Sequence, residues 1–237
     1  AKRSEFAEKI KDYQGVYSGD ENKQIVASLA MLKEFDELPN KNEVQTLSPL
    51  AKSTIGRKPK EIIAWGKSEI IVRAHLEEIL AFLWQFDSRA RTKPSDLEKT
   101  VLQETSPHSL IGYVCKRGIH KGVIKLLPRD GLNLFIWKRL DENTIVLVAN
   151  PIFHELRPIT PDRVRGEVPF VSKLERLPQG RCKLTYCVSL EMGFIPNALV
   201  DFYMKNFLQL TETVQQYFQQ LRPLELLDEN DGVAMAE

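Results

Sequence analysis

The side chains able to do chemistry are scattered along the chain rather than grouped. The four histidines, His75, His108, His120 and His154, show neither H-x-H nor H-E-x-x-H spacing, so no zinc ligand set is visible. Three cysteines, Cys115, Cys182 and Cys187, are an odd and sparse set for 237 residues. That predicts reduced thiols in a cytoplasmic setting rather than a disulfide framework. Cys182 and Cys187 are five apart on a strand-like run, which puts them on opposite faces and away from a shared metal ion. No G-x-S-x-G elbow presents a serine, and no G-x-x-x-x-G-K-[ST] or G-x-G-x-x-G loop cradles a phosphate. The residues therefore predict no catalytic group, no metal site and no cofactor. Two basic clusters remain, Arg57-Lys58-Pro59-Lys60, and Lys116-Arg117 with His120, Lys121 and Lys125 about a glycine-containing turn. Cations so grouped hold lipid headgroups or an anionic membrane at about 1 kcal/mol per charge near the surface. The alternative is a solvated loop.

Composition narrows the partners. With 43% hydrophobic and 27% charged residues the chain has the balance of a globular domain. Lys+Arg 33 against Asp+Glu 32 leaves a net charge of +1, which gives no electrostatic footprint for nucleic acid. Charge-free runs such as Asn143 to Phe153 fall short of the roughly 18 to 20 residues that cross a bilayer, so no transmembrane helix is expected. The opening Ala1-Lys2-Arg3-Ser4 has no initiating methionine and no apolar signal core after it, which reads as a segment of a longer chain.

The elements that must position any site read as helical first and β-rich later. Phe6, Ile10, Tyr13 and Tyr17 form one helical stripe that Gly19 stops. Ser18 and Glu21 have capping-box spacing for a second helix carrying Ile25, Leu29, Leu32 and Phe35. Lys41 to Lys60 has no period and reads as a linker or covering loop. Strands are expected over Ser68 to Ala74, Lys99 to Glu104, Leu110 to Lys116, Leu132 to Leu140, Thr144 to Pro151, Val164 to Glu175 and Cys182 to Leu190, with a helix from Leu76 to Phe86. Strands following one another without helices between them favour an antiparallel sheet. A long helix opens at Pro196, and on it Leu199, Tyr203, Phe207, Leu210, Val214, Tyr217 and Leu221 step by four or three. Pro223 ends that helix. The expected division is residues 1–60 as an N-terminal helical segment and linker, 61–225 as the main α+β domain, and 226–237 as an acidic tail.

Arg129-Asp130, Val164-Arg165-Gly166-Glu167, Cys182-Lys183-Leu184-Thr185-Tyr186 and Gly193-Phe194-Ile195-Pro196, with Trp137 among them, occur in an order and spacing that resembles the START domain, the StAR-related lipid-transfer family. The resemblance runs from about Ser68 to Leu221. It implies a helix-grip fold, in which a curved antiparallel sheet wraps the long C-terminal helix, here with an N-terminal helical extension. It also implies non-enzymatic binding of one lipid in an internal tunnel, for transfer between membranes or for sensing. The lipid would be a sterol, phospholipid, sphingolipid or fatty acid, and the protein would be cytoplasmic with transient contact at membranes. Three positions depart from the family pattern: Gly131 stands where a bulky apolar residue follows R-D, Leu190 where an aspartate is common, and Phe135 near the place of the sterol carriers' buried arginine.

On this reading Leu199, Tyr203, Phe207, Leu210 and Val214 line the cavity, because their stripe must face the sheet. Phe135 and Trp137 share a strand face with Asn133 and join them, or pack outward against the N-terminal helices. Arg129 and Arg165 are the candidate headgroup contacts. The competing assignment is a turn held by Arg129 and Asp130, and a pair formed by Arg165 with Glu167 or a neighbour. Gly193 and Pro196 serve backbone geometry, a tight turn and a helix start. Two other classes stay open: an enzyme of the helix-grip superfamily acting on a hydrophobic substrate, and a docking module whose N-terminal helices hold a protein partner.

Overall fold

A computed structural model describes residues 2–58, 63–121, 124–191 and 197–221. The chain runs α1 (Lys2–Lys11), α2 (Gly19–Asp36), β1 (Asn40–Glu43), β2 (Lys52–Arg57), β3 (Ala64–Val72), α3 (Leu76–Trp84), β4 (Asp96–Ser106) and β5 (Ser109–Lys116). It continues with β6 (Ile119–Lys121), β7 (Ile124–Leu126), β8 (Arg129–Asp141), β9 (Thr144–Pro151), β10 (Val164–Arg165), β11 (Phe170–Leu177), β12 (Arg181–Leu190) and α4 (Asn197–Leu221). Ten strands make one sheet in the order β1-β2-β3-β12-β11-β9-β8-β5-β4, with β10 beside β8, while β6 and β7 form a separate ladder. Every described pairing is antiparallel except the short β10–β8 pair. This is the helix-grip α+β fold that the sequence resemblance implies.

Alternation sorts the apolar residues onto two faces. Cys182, Leu184, Tyr186, Val188 and Leu190 of β12 join Ile145, Leu147 and Ala149 of β9 in an inner layer that packs on α3 and α4. Cys187, Val146, Val148, Val171 and Ile136 face the other way and are covered by Ile25, Met31 and Phe35 of α2. Cys182 and Cys187 thus lie on opposite faces, as the spacing predicts. Burial in these apolar layers pushes both thiols up to about 12.

Helix α4 rests on β3 along Val200, Met204, Leu208 and Thr211, all buried. A Cβ at Gly66 would lie 2.4 Å from the Met204 Sδ, so the helix approaches the strand where no side chain intervenes. The Thr211 and Ser68 hydroxyls meet at 2.8 Å, and Ser68 meets Ser53 at 2.8 Å, which satisfies the polar groups under the helix.

Three expectations need correction. Lys41 to Lys60 holds two strands, and the loop between them covers α4, where the Leu47 and Ser48 N–H groups donate to buried Glu212 at 3.1 and 3.0 Å. The missing period reflects an edge: all four residues of β1 are exposed, so no alternation is imposed. The first helix ends at Lys11, and Tyr13 and Tyr17 lie in the connection, because Ser18 caps α2 and makes Gly19 its first residue. Tyr13 and Tyr17 pack there on His108 and, for Tyr13, on Trp137. The strand expected over Val164 to Glu175 is two, since Gly166 and Pro169 interrupt the ladder. Of the two alternatives for Arg165 the structure takes the neighbour: Arg165 binds Asp130, its register partner on β8, while Glu167 bridges to Glu191 through the backbone. The Gly193-to-Pro196 motif, Pro223 and the acidic tail lie outside the described residues.

Candidate functional site

A cavity of about 560 Å³ opens between α4, the inner faces of β5 and β8, and the segment that joins α3 to β4. Strand register builds its wall. Gly112 faces Asn133, Val114 faces Gly131 and Lys116 faces Arg129 across the β5–β8 ladder, and all six residues line the space. At Gly112 the Phe135 and Phe86 rings take the place of a side chain, and a Cβ there would lie 2.7 Å from Phe135 Cε2. A Cβ added at Gly131 would touch only Val114 Cγ1, at 3.8 Å, so the missing side chain is open volume.

The deep end is aromatic. Phe86 lies 4.9 Å from Phe135 (centroid to centroid), Phe135 5.7 Å from Phe170, and Phe170 5.4 Å from Tyr186. Ala149 of β9 pairs with both Phe135 and Phe170, and its small side chain lets their rings meet edge to face across it. From the helix side Tyr203, Phe207 and Leu210 close the space.

Cations line the cavity as well, and two of them reach the aromatic row: the Lys99 amine and the Arg91 guanidinium lie 4.7 and 5.8 Å from the Phe86 ring centre. Arg91, Lys93, Lys99, Lys116, Arg117 and Arg129 line the cavity, against one carboxylate among the described lining residues, Asp130. That carboxylate is already engaged: Arg165 Nε donates to Oδ1 at 2.8 Å, Arg165 Nη2 to Oδ2 at 3.0 Å, and the Tyr113 hydroxyl to Oδ2 at 3.1 Å. Arg163 in turn donates to the Tyr113 hydroxyl at 2.8 Å. Lys116 pairs with Asp96. Lys99 Nζ donates to the Arg91 carbonyl at 2.6 Å and sits 4.7 Å from the Phe86 ring centre. Lys93 Nζ donates to the Asn206 carbonyl of α4 at 3.3 Å. Burial first, then Arg91, pushes the Lys99 amine down to about 7. Burial and then Lys116 lower Lys93 as well, and burial brings Arg91 to about 10.

The structure distributes the expected site residues unevenly. Phe135, Tyr203, Phe207, Leu210 and Arg129 line this cavity. Trp137 shares their sheet face but lies further along β8, where its Nε1 donates to the Pro107 carbonyl at 3.1 Å and its ring meets Tyr13 and Phe6. Val214 is fully buried in the core and Leu199 is half-buried at the start of α4; neither is among the lining residues. Arg165 stands behind the wall, committed to Asp130. Of the two basic clusters, Lys116 and Arg117 line the cavity, whereas Arg57 pairs with Asp201 and Lys58 with Glu34. Arg91, Lys93 and Lys99 were not foreseen. The signal lay in Arg89-Ala90-Arg91-Thr92-Lys93, a dense cationic run with no acid inside it.

Among the described residues no group of three or more His, Cys, Asp or Glu side chains is placed to hold a metal ion. None of the described helices is long and apolar enough to cross a membrane.

No protein-family model matches the sequence, and a comparison with curated proteins returns no match. Solved structures do match. Human StAR-related lipid transfer protein 5 is similar at a TM-score of 0.67 and 19% identity, over 84% of this chain and 96% of that one. Human STARD10 is similar at 0.65 and 12% identity, over 89% of this chain and 86% of that one. The lipid transfer and protein localization domain of human StarD13 follows at 0.62 and 14%, over 86% and 99%. The chain therefore has a START-like fold.

Proposed function

We propose that this chain binds one lipid, without catalysis, in the cavity beneath α4, to transfer it or to sense it. The observation that carries the reading is the cavity itself: about 560 Å³ of space inside a START-like fold, backed by an aromatic row and closed by the helix that the sheet grips. Its size lies within the roughly 300–1,000 Å³ of small-molecule sites, and it has their usual division into apolar walls and a few polar groups. A lipid crossing water exposes its chain at about 0.8 kcal/mol per methylene, and an enclosed apolar wall removes that cost. The names of the similar human proteins, two of them lipid transfer proteins or domains, agree with this assignment.

Native mass spectrometry of the purified chain after exposure to a mixed lipid extract tests the proposal. A discrete one-to-one adduct, identified after denaturation, is the expected result. Absence of any adduct across sterols, phospholipids, sphingolipids and fatty acids would overturn it.

A further inference from the structure

We propose that the ligand is an amphiphile with an anionic head, a carboxylate or a phosphate, held by Lys93 and Lys99 with Arg91 beside them. This deepens the lipid-binding reading and rests on it. Three observations converge. The first is the charge imbalance among the described residues: Arg91, Lys93 and Lys99 line the space, while Asp96 and Asp130 are bound to Lys116 and Arg165, and Glu212, which also acts on Lys93, accepts from the Leu47 and Ser48 N–H groups. The second is how the inner cations are held. Lys99 donates to the Arg91 carbonyl, Lys93 to the Asn206 carbonyl and Arg91 to the Leu83 carbonyl. A carbonyl solvates a cation but does not neutralise it. A neutral lipid filling the cavity would strip solvent from these groups and return no opposite charge, whereas an anionic head supplies it. The depressed amines of Lys93 and Lys99 show that this desolvation is already felt.

The third observation is that the apolar wall adjoins these cations: Phe86 lies 4.9 Å from Phe135, Phe135 lies 5.7 Å from Phe170, and the Lys99 amine lies 4.7 Å from the Phe86 ring centre, so one ligand can meet both. The geometry sets the direction of entry. The chain lies along the aromatic row from Phe135 to Phe170, and the head lies at the segment joining α3 to β4, where the Lys99 amine and the Arg91 guanidinium stand 4.7 and 5.8 Å from the Phe86 ring centre.

The test is a set of affinities measured on the intact chain, below micelle formation, for oleate, oleoyl lysophosphatidate and the uncharged oleyl alcohol. One charge-assisted contact predicts that at least one anionic ligand binds about tenfold or more tightly than the alcohol. In Lys93→Met/Lys99→Met that preference should collapse to within about threefold, with alcohol binding retained. Lys52→Met, an exposed lysine on β2, should leave it unchanged. The stronger of the two anions identifies carboxylate or phosphate as the head. Equal or tighter binding of the alcohol by the unmodified chain overturns the anionic head and leaves lipid binding standing, and needs no variant to fold. An equal loss of preference in Lys52→Met would assign the effect to overall charge and also overturn it. Failure of all three ligands, and of the mixed extract, would remove the lipid reading together with this one.

Discussion

Gly131 sets how much of the inner face stays open. A Cβ there meets nothing closer than 3.8 Å, so Gly131→Leu should fold and send its side chain into the cavity beside Val114. Retention of a cooperative unfolding transition with loss of ligand uptake by about tenfold or more is the expected outcome, measured by the same lipid titration. Uptake at the unmodified level would show that the ligand lies elsewhere. The sequence marks this position only as a departure from the family pattern; its meaning needs the register that sets it opposite Val114. Phe135 and Trp137 teach the same lesson, since alternation assigns both to one face. It does not say that one lies in the aromatic row while the other lies at the end that α1 closes. The converging cations were hidden for a related reason. Lys99 reaches them from a strand whose register against β5 shifts between Asp96 and Glu98 and again between Val101 and Gln103, and such bulges leave no periodic trace.

At the level of elements, helix stripes were legible where they were apolar and obscure where they were mixed. The stripe through Tyr203, Phe207 and Leu210 announces itself by period and faces the cavity. The stripe that packs on β3 reads Val200, Met204, Leu208, Thr211 and Gln215, and its polar end conceals it. Buried polar contacts between elements are equally silent in a sequence. Glu77 on α3, with a side chain 5% exposed, accepts from Arg139 of β8 at 2.9 Å and from Arg176 of β11 at 3.0 Å, and so clamps the helix to the sheet. Burial opposes ionisation of Glu77, but the hydrogen bond from Arg139 and the charge of Arg176 outweigh it and hold the carboxyl below the ordinary glutamate range. A carboxyl depressed in the folded state stabilises above its unfolded pKa, and that contribution is lost as pH falls through the folded value. Glu77→Gln should therefore cost about 3 kcal/mol in urea denaturation at pH 7. The gap to the unmodified chain should begin to close below about 4.5, the ordinary value for glutamate, and shrink further as the pH falls. A gap that stays constant with pH would mean that the carboxylate charge is not what clamps α3.

Taken whole, the molecule is one sheet with a helix layer on each face, and its two apolar layers are not equivalent. The outer layer, under α2, is tied to the inner one by His108, which meets the Tyr13 hydroxyl at 2.6 Å and the Glu21 carboxylate at 3.1 Å. The inner layer is packed under α4 along β3 but opens into the cavity between α4 and β8, which Tyr186 of β12 reaches. A ligand in that space becomes part of the core, making the contacts that side chains make elsewhere on the same face. Since it binds the folded chain and not the unfolded one, its free energy of binding adds to stability. At a free concentration one hundred times its dissociation constant it contributes about 2.7 kcal/mol. For a chain of this size that raises the melting temperature by roughly 5 to 10 °C. Differential scanning fluorimetry with a ligand identified by mass spectrometry should show this rise in the unmodified chain and none in Gly131→Leu. A rise of the same size in both would place the ligand on the surface, where filling the cavity makes no difference.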